Sequence, residues 1–265
     1  MIERLDFDML LENKKILIMG IRNKWSIAYG IAKSAYENGA KLIFTFMGED
    51  NRKKIEELVS HFAGSKCYCL NGASEDELVE ECFNKIKEEN GKVDGIVHAI
   101  AHANTEDLHN DFIYTSKEGF AHANDVSAYT IVSVTRFAKE TGLIGEGGSV
   151  VALTYHGSTK VLPGYNVMGV AKAALEASIR YLADNIGPMG IRINAVSAGP
   201  IKTLSARGIK DFSTIQDVMG EKAPLRRNVT AHEVGDAVSF LFSNMSSAIT
   251  GQIVYADAGY SIMGI

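Results

Sequence analysis

Short apolar runs alternate with helix-periodic segments along the whole chain of 265 residues, and this narrows the fold more than any motif. Lys15-Ile-Leu-Ile-Met-Gly20 is an apolar run closed by glycine, as expected of a parallel strand buried on both faces. A helical pattern starts at Ser26. Runs at 41–46, 65–70, 93–98, 148–154, 191–197 and 252–257 read as further strands. Between them, 52–62, 75–89, 116–141, 164–186 and 231–242 read as helices. The alternation implies right-handed βαβ crossovers, hence an α/β fold: a Rossmann-type, doubly wound parallel sheet of about seven strands flanked by helices. The length suits one domain over 1–265, since this class runs to about 250 residues undivided. Ligands on such a sheet bind beyond the carboxyl ends of the strands, so the strand-to-helix loops carry the function.

Other classes are disfavoured. No stretch approaches the roughly 20 apolar residues that span a membrane. The opening Met1-Ile-Glu-Arg-Leu-Asp-Phe-Asp is too acidic for a signal peptide, so a cytoplasmic protein with no membrane partner is expected. A net charge of −5 argues against nucleic acid. Cys67, Cys69 and Cys82 make no zinc set, read as reduced packing residues, and leave no metal expected.

The first strand-to-helix loop runs Gly-Ile-Arg-Asn-Lys-Trp-Ser-Ile-Ala-Tyr-Gly from Gly20 to Gly30. It lacks Gly-x-Gly-x-x-Gly, yet Gly20 allows a sharp strand exit, Ser26 can cap the helix, and Gly30 lets helix and sheet approach. A plain β–α turn has the same ingredients, but the position in the first βα unit favours a dinucleotide. The second strand ends in Phe46-Met47-Gly48 followed by Glu49 and Asp50, with no cation to take a 2′-phosphate, which favours NADH. Arg52, Lys53 and Lys54 follow closely and leave NADPH open.

After the run 148–154, Tyr165, Gly169 and Lys172 fall at i, i+4 and i+7, one face of a helix. The glycine would leave room for a flat ligand, and the ammonium would make the phenol a better acid. A buried tyrosine beside a solvated lysine has the same spacing.

With Tyr155, Tyr165 and Lys172 in place the chain resembles the short-chain dehydrogenase/reductase superfamily, and more narrowly the bacterial NADH-dependent enoyl-acyl-carrier-protein reductases. The matching stretches are Gly20-x5-Ser26-Ile-Ala-x-Gly30, Tyr165-Asn-Val-Met-Gly-Val-Ala-Lys172, Ile191-Arg-Ile-Asn-Ala-Val-Ser-Ala-Gly-Pro-Ile-Lys-Thr203 and Asp257-Ala-Gly-Tyr260. Ketone-reducing members place a serine thirteen residues before the active tyrosine; here that position is Ala152, and Tyr155 stands ten before. The resemblance implies hydride delivery to the β-carbon of a trans-2-enoyl thioester on acyl carrier protein, the last step of fatty-acid elongation. Tyr165 would donate to the carbonyl oxygen, Lys172 would bind the nicotinamide ribose, and Tyr155 would stand beside the substrate. Gly20, Ser26, Ile27, Met47, Asn71, Gly72, Ile100, Ile201, Lys202, Thr203, Leu204 and Ser205 would line the cofactor, Asn71 as acceptor from the adenine amino group. Ala103 and Phe212 would face the substrate, with 202–222 a lid. A homotetramer built through the long helices and the last strand is implied as well.

The chain departs from that pattern where Asn71-Gly72 stands for Asp-Val, Ala99 for serine, His102 for an aromatic and His156 for an apolar residue. The two histidines make the expected acyl pocket polar, or are solvated loop residues. They motivate a second reading, a diverged paralogue reducing another activated alkene. The weakened adenine contact motivates a third, a catalytically silent dinucleotide-binding protein.

Overall fold

In β1 (Lys15–Met19), Ile16 and Ile18 join one buried apolar cluster while Leu17 and Met19 join another. A strand with both faces covered needs apolar residues at every position, which is why the run is unbroken. The computed structural model describes residues 9–203 and 212–264, with backbone alone at 212–215. Around β1 lie β2 (Lys41–Phe46), β3 (Lys66–Cys69), β4 (Val93–His98), β5 (Ile144–Tyr155), β6 (Arg192–Ala198) and β7 (Ile253–Ala256). They form one parallel sheet in the order β3-β2-β1-β4-β5-β6-β7, the doubly wound arrangement that the alternation implied. The winding reverses at β1, between β2 and β4, and opens a crevice beyond their carboxyl ends.

Nine helices lie among the described residues: α1 (Ile27–Glu37), α2 (Arg52–Val59), α3 (Asp76–Asn90), α4 (Thr105–His109), α5 (Lys117–Asn124), α6 (Thr130–Glu140), α7 (Asn166–Ile186), α8 (Phe212–Lys222) and α9 (Ala231–Phe242). Ile31 of α1, Ile55 of α2 and Val238 of α9 cover one face of the sheet. Phe83 of α3, Val134 of α6 and Leu175 of α7 cover the other. No described helix is long and apolar enough to cross a membrane.

Several boundaries differ from the sequence reading. The helix expected over 52–62 stops at Val59, because Phe62 turns back into an aromatic cluster. Its ring centroid lies 5.5 Å from those of Tyr29 and Tyr36 and 5.8 Å from that of Phe44. The helix expected over 116–141 is a rod interrupted by a π-helical stretch, Asp125–Tyr129. The wider turn sets Ser127 and Thr130 against the end of β4: Thr130 Oγ1 lies 2.8 Å from His98 Nε2, and Ser127 Oγ bonds the His102 backbone. α4 and α8 were not expected as helices, and α8 falls within the segment read as a lid.

The role expected of Gly30 is corrected. It faces α9, where an added Cβ would lie 2.5 Å from the backbone of Ala231; it therefore brings helix to helix, not helix to sheet. The three cysteines are free, and burial pushes Cys67 up to about 11 and Cys82 up to about 12.

The α1–α9 crossing predicts that Gly30→Ala forces the helices apart at a cost of about 1–3 kcal/mol. Gly187→Ala, where a Cβ meets nothing within 4 Å, supplies the control. Thermal unfolding should show a drop of about 5 °C for the first and none for the second.

Candidate active site

Three successive residues at the end of β5 each engage α7. Leu153 accepts a 2.8 Å hydrogen bond at its carbonyl from Lys172 Nζ. Thr154 Oγ1 donates to Glu176 Oε1 at 2.6 Å. The Tyr155 ring meets that of Tyr165 edge to face, with centroids 5.0 Å apart and planes at 72°. Lys172 and Glu176 stand one helical turn apart, so two rungs of one helix face hold two neighbouring strand residues. Asn166 fixes the start of α7 with φ +33°, and its Nδ2 donates to the carbonyls of Leu108 and Asn110. A strained residue held by two bonds at a helix entry marks a site whose geometry is imposed.

The gap at Gly169 is not ligand space. Its missing Cβ would lie 2.7 Å from the carbonyl oxygen of Gly157, and a Cβ on Gly157 would lie 2.4 Å from the Tyr165 ring. The two glycines let the loop after β5 press onto Tyr165.

Burial dominates the protonation of the pair. Tyr165 is 9 % exposed and Lys172 5 %. Desolvation, then Tyr155 and Glu176, push the Tyr165 phenol well above its ordinary value. The expectation that Lys172 acidifies Tyr165 is thereby corrected: the ammonium is spent on Leu153, and burial penalises the phenolate. Burial lowers Lys172 to about 8, and the Glu176 carboxylate opposes that shift. Tyr155 is likewise raised, by burial and then by Tyr260, and its hydroxyl donates to Met219 Sδ of α8 at 3.7 Å.

Over residues 20–261 the chain matches the family described as enoyl-(acyl carrier protein) reductase. The chain belongs to the enoyl-(acyl carrier protein) reductase family. It is 46% identical to the NADH enoyl-[acyl-carrier-protein] reductase of Bacillus cereus, covering 96% of this chain and 99% of the relative. It is 47% identical to the NADPH enzyme of Staphylococcus aureus (strain MRSA252), covering 94% and 97%. A crystal structure of the Bacillus cereus reductase with NADP+ and indole naphthyridinone superposes with a TM-score of 0.93 at 46% identity, over 97% of this chain and 99% of that one.

In this reductase-family fold the other expected residues lie along the carboxyl edge of the sheet. Gly20 leaves β1 with φ +88°, and a Cβ there would lie 2.4 Å from the Ala99 carbonyl oxygen, so the ends of β1 and β4 meet at the crevice. Ser26 caps α1, its Oγ accepting from the Tyr29 N–H at 3.3 Å, with Ile27 the first helical residue. Met47 is exposed beyond β2, and Asn71 and Gly72 follow β3. Asn71 Oδ1 already accepts from the Gly48 N–H at 3.0 Å and the Cys69 thiol at 3.2 Å, so its amide NH2, a donor, remains for a ligand. That corrects the expected acceptor role. Ile100 follows β4 against the core, Ile201 packs on the opposite face, and Lys202 and Thr203 continue that loop. Ala103 packs, as Tyr155 does, on the small apolar cluster that contains Tyr165. Leu204 and Ser205 lie outside the described residues, as does the side chain of Phe212.

His156 is no solvated loop residue: it is buried, with its ring edge to face on Tyr260 at 5.7 Å, and burial holds its imidazole below the ordinary value. The sequence reading missed Thr154, Glu176 and Met219. Only Glu176 carried a signal, a carboxylate four residues past Lys172.

Because Lys172 keeps its proton only below about 8, a ¹⁵N NMR titration of its Nζ should show a midpoint near that value. Glu176→Gln removes the opposing charge and should move the midpoint lower. An unmoved midpoint would separate Glu176 from the ammonium.

Proposed function

We propose that this protein reduces the C2–C3 double bond of a trans-2-enoyl thioester carried on acyl carrier protein, with NADH as the hydride source. The observation that carries the reading is the buried Tyr165 beside Tyr155 and Lys172, with Ala152 in place of a carbonyl-holding serine. The cofactor site fits the residues present. Gly20 leaves no Cβ between the ends of β1 and β4, and Ser26 caps α1 directly after that loop, where the N-terminus of a helix suits a pyrophosphate. Asn71 offers its amide on the adenine side.

The nicotinamide, when bound, supplies the hydride that adds to C3. The C2–C3 π pair would then shift to C1–C2 as the carbonyl π pair moves onto the thioester oxygen, and a proton taken up at C2 would restore the carbonyl. Tyr165 acts on that oxygen. A phenol whose proton is held by burial stays a donor throughout the working pH range, and a donor placed where charge develops lowers the barrier. Lys172 adds positive charge through the same buried region, and Tyr155 fixes the Tyr165 ring from its edge.

Support for NADH comes from the end of β2. Arg52 is held by both carboxylate oxygens of Glu49 and lies 3.4 Å from Glu56, so its guanidinium is already committed and does not stand ready for a 2′-phosphate. The second reading, reduction of another activated alkene, draws on the exposed His102 in the loop after β4.

A steady-state assay tests both points. Absorbance of NADH should fall with crotonyl and longer enoyl thioesters, faster than that of NADPH at equal concentration. Tyr165→Phe should lower kcat about 100-fold or more while leaving NADH binding in place. No loss of either nucleotide with any enoyl carrier-protein substrate would overturn the reductase reading, and preference for a short polar enone would favour the second.

A further inference from the structure

His102, on the loop after β4, places its Nδ1 2.8 Å from Nε2 of His122 on α5, with the two rings edge to face and their centroids 5.0 Å apart. His102 is exposed and His122 half-buried. Ser127 holds the loop at both polar atoms of the His102 backbone, accepting from its N–H at 3.0 Å and donating to its carbonyl at 3.1 Å. The next residue, Ala103, packs on the small apolar cluster that contains Tyr165 and that Tyr155 also joins, so the imidazole pair stands at the mouth of the reactive crevice. Arg22, two residues past Gly20 on the loop after β1, is exposed and acts electrostatically on His102. Three segments thus bring three basic groups to one rim.

The protons of the pair decide what it can bind. When both rings are neutral, the inner contact is one N–H to a bare nitrogen, and the two outward nitrogens are one donor and one acceptor. One added proton keeps the inner bond and makes both outward nitrogens donors. A second would set two N–H groups face to face and break the contact. The singly protonated pair with Arg22 presents two positive charges and several convergent donors, the chemistry of a phosphate ester site. In the free protein, burial, then His122 and Arg22, hold the His102 imidazole below its ordinary value. An arriving anion offsets the last two causes. The acids near the pair are Glu106 and Asp107 of α4, which line the same hollow as His102, and the exposed Glu118 and Asp125, four residues before and three after His122 along its own rod. The Asp107 carboxylate is committed to the Ser116 N–H at 2.9 Å, while Glu106 is exposed.

We propose that Arg22, His102 and His122 form a phosphate-recognition site at the crevice mouth, which takes up one proton as it engages a phosphate group of an entering ligand. The location of the mouth rests on the reductase reading above. Two ligands could bring the phosphate: the arm of a carrier-bound thioester, or the pyrophosphate of the dinucleotide, whose expected loop bears Arg22.

Proton NMR of the imidazole signals, assigned with His102→Phe and His122→Ile, tests the site between pH 5 and 9. The full-length protein is titrated alone, with crotonyl-coenzyme A, with the matching pantetheine thioester lacking phosphate, and with NADH. A midpoint raised by the coenzyme A thioester and not by the pantetheine thioester assigns the site to the substrate arm. A midpoint raised by NADH assigns it to the cofactor. Midpoints unmoved by every phosphate-bearing ligand overturn the proposal. For a substrate-arm site, the ratio of kcat/KM for the phosphate-bearing thioester to that for the phosphate-free one should rise about tenfold from pH 8 to pH 6, the scale of one charge-assisted hydrogen bond. The double variant His102→Phe/His122→Ile should flatten that rise. The titration needs no turnover, so shifted midpoints without reduction would retire the reductase reading and leave the phosphate site standing.

Discussion

The site depends on the docking of α7 against the last three residues of β5. One helix face reaches the strand through an ammonium on a carbonyl, a carboxylate accepting from a hydroxyl, and a tyrosine ring on a tyrosine edge. Each contact alone is ordinary. Together they fix the helix in register with the strand, because Lys172 and Glu176 are one turn apart while Leu153 and Thr154 are neighbours. Sliding the helix would leave a buried charge or carbonyl without its partner, which is expensive in an apolar interior. Tyr165 inherits its position from that lock.

Burial then sets the two functional protons in opposite senses. It raises the phenol of Tyr165 and lowers the ammonium of Lys172, since desolvation always penalises the charged form. The phenol therefore remains a hydrogen-bond donor and does not compete as a phenolate. The lysine remains charged only with help, and Glu176, the one turn-related carboxylate, supplies it. A site that stabilises negative charge on a substrate oxygen needs both outcomes at once.

The doubly wound sheet was legible because β1 and β2, buried along nearly their whole length, leave unbroken apolar runs, and these and five more broken strand-like runs alternate with helical periods. Tertiary overrides were not legible. Phe62 leaves a helical pattern to stack on Phe44, and the π stretch at Asp125–Tyr129 answers to bonds with His98 and His102 that no local window contains. Within the site, Tyr165 and Lys172 could be singled out by spacing, but Gly169 was misread. Its empty side is filled by Gly157, a contact that only the returning loop creates. Asn71 was misread for the same kind of reason, since its oxygen is taken by Gly48 from another strand end. The His102–His122 pair spans two segments, and neither residue announces the other in the sequence.

The central claim, that the β5–α7 lock is what places Tyr165, is tested most directly by a double-mutant cycle on kcat. Thr154→Val removes the hydroxyl that holds Glu176 and keeps the shape of the side chain. If the lock acts through Tyr165, Thr154→Val lowers kcat in the native background and costs nothing further once Tyr165 is phenylalanine. Losses that simply add in the double variant would contradict the account, because Thr154 would then act independently of the tyrosine it is held to position.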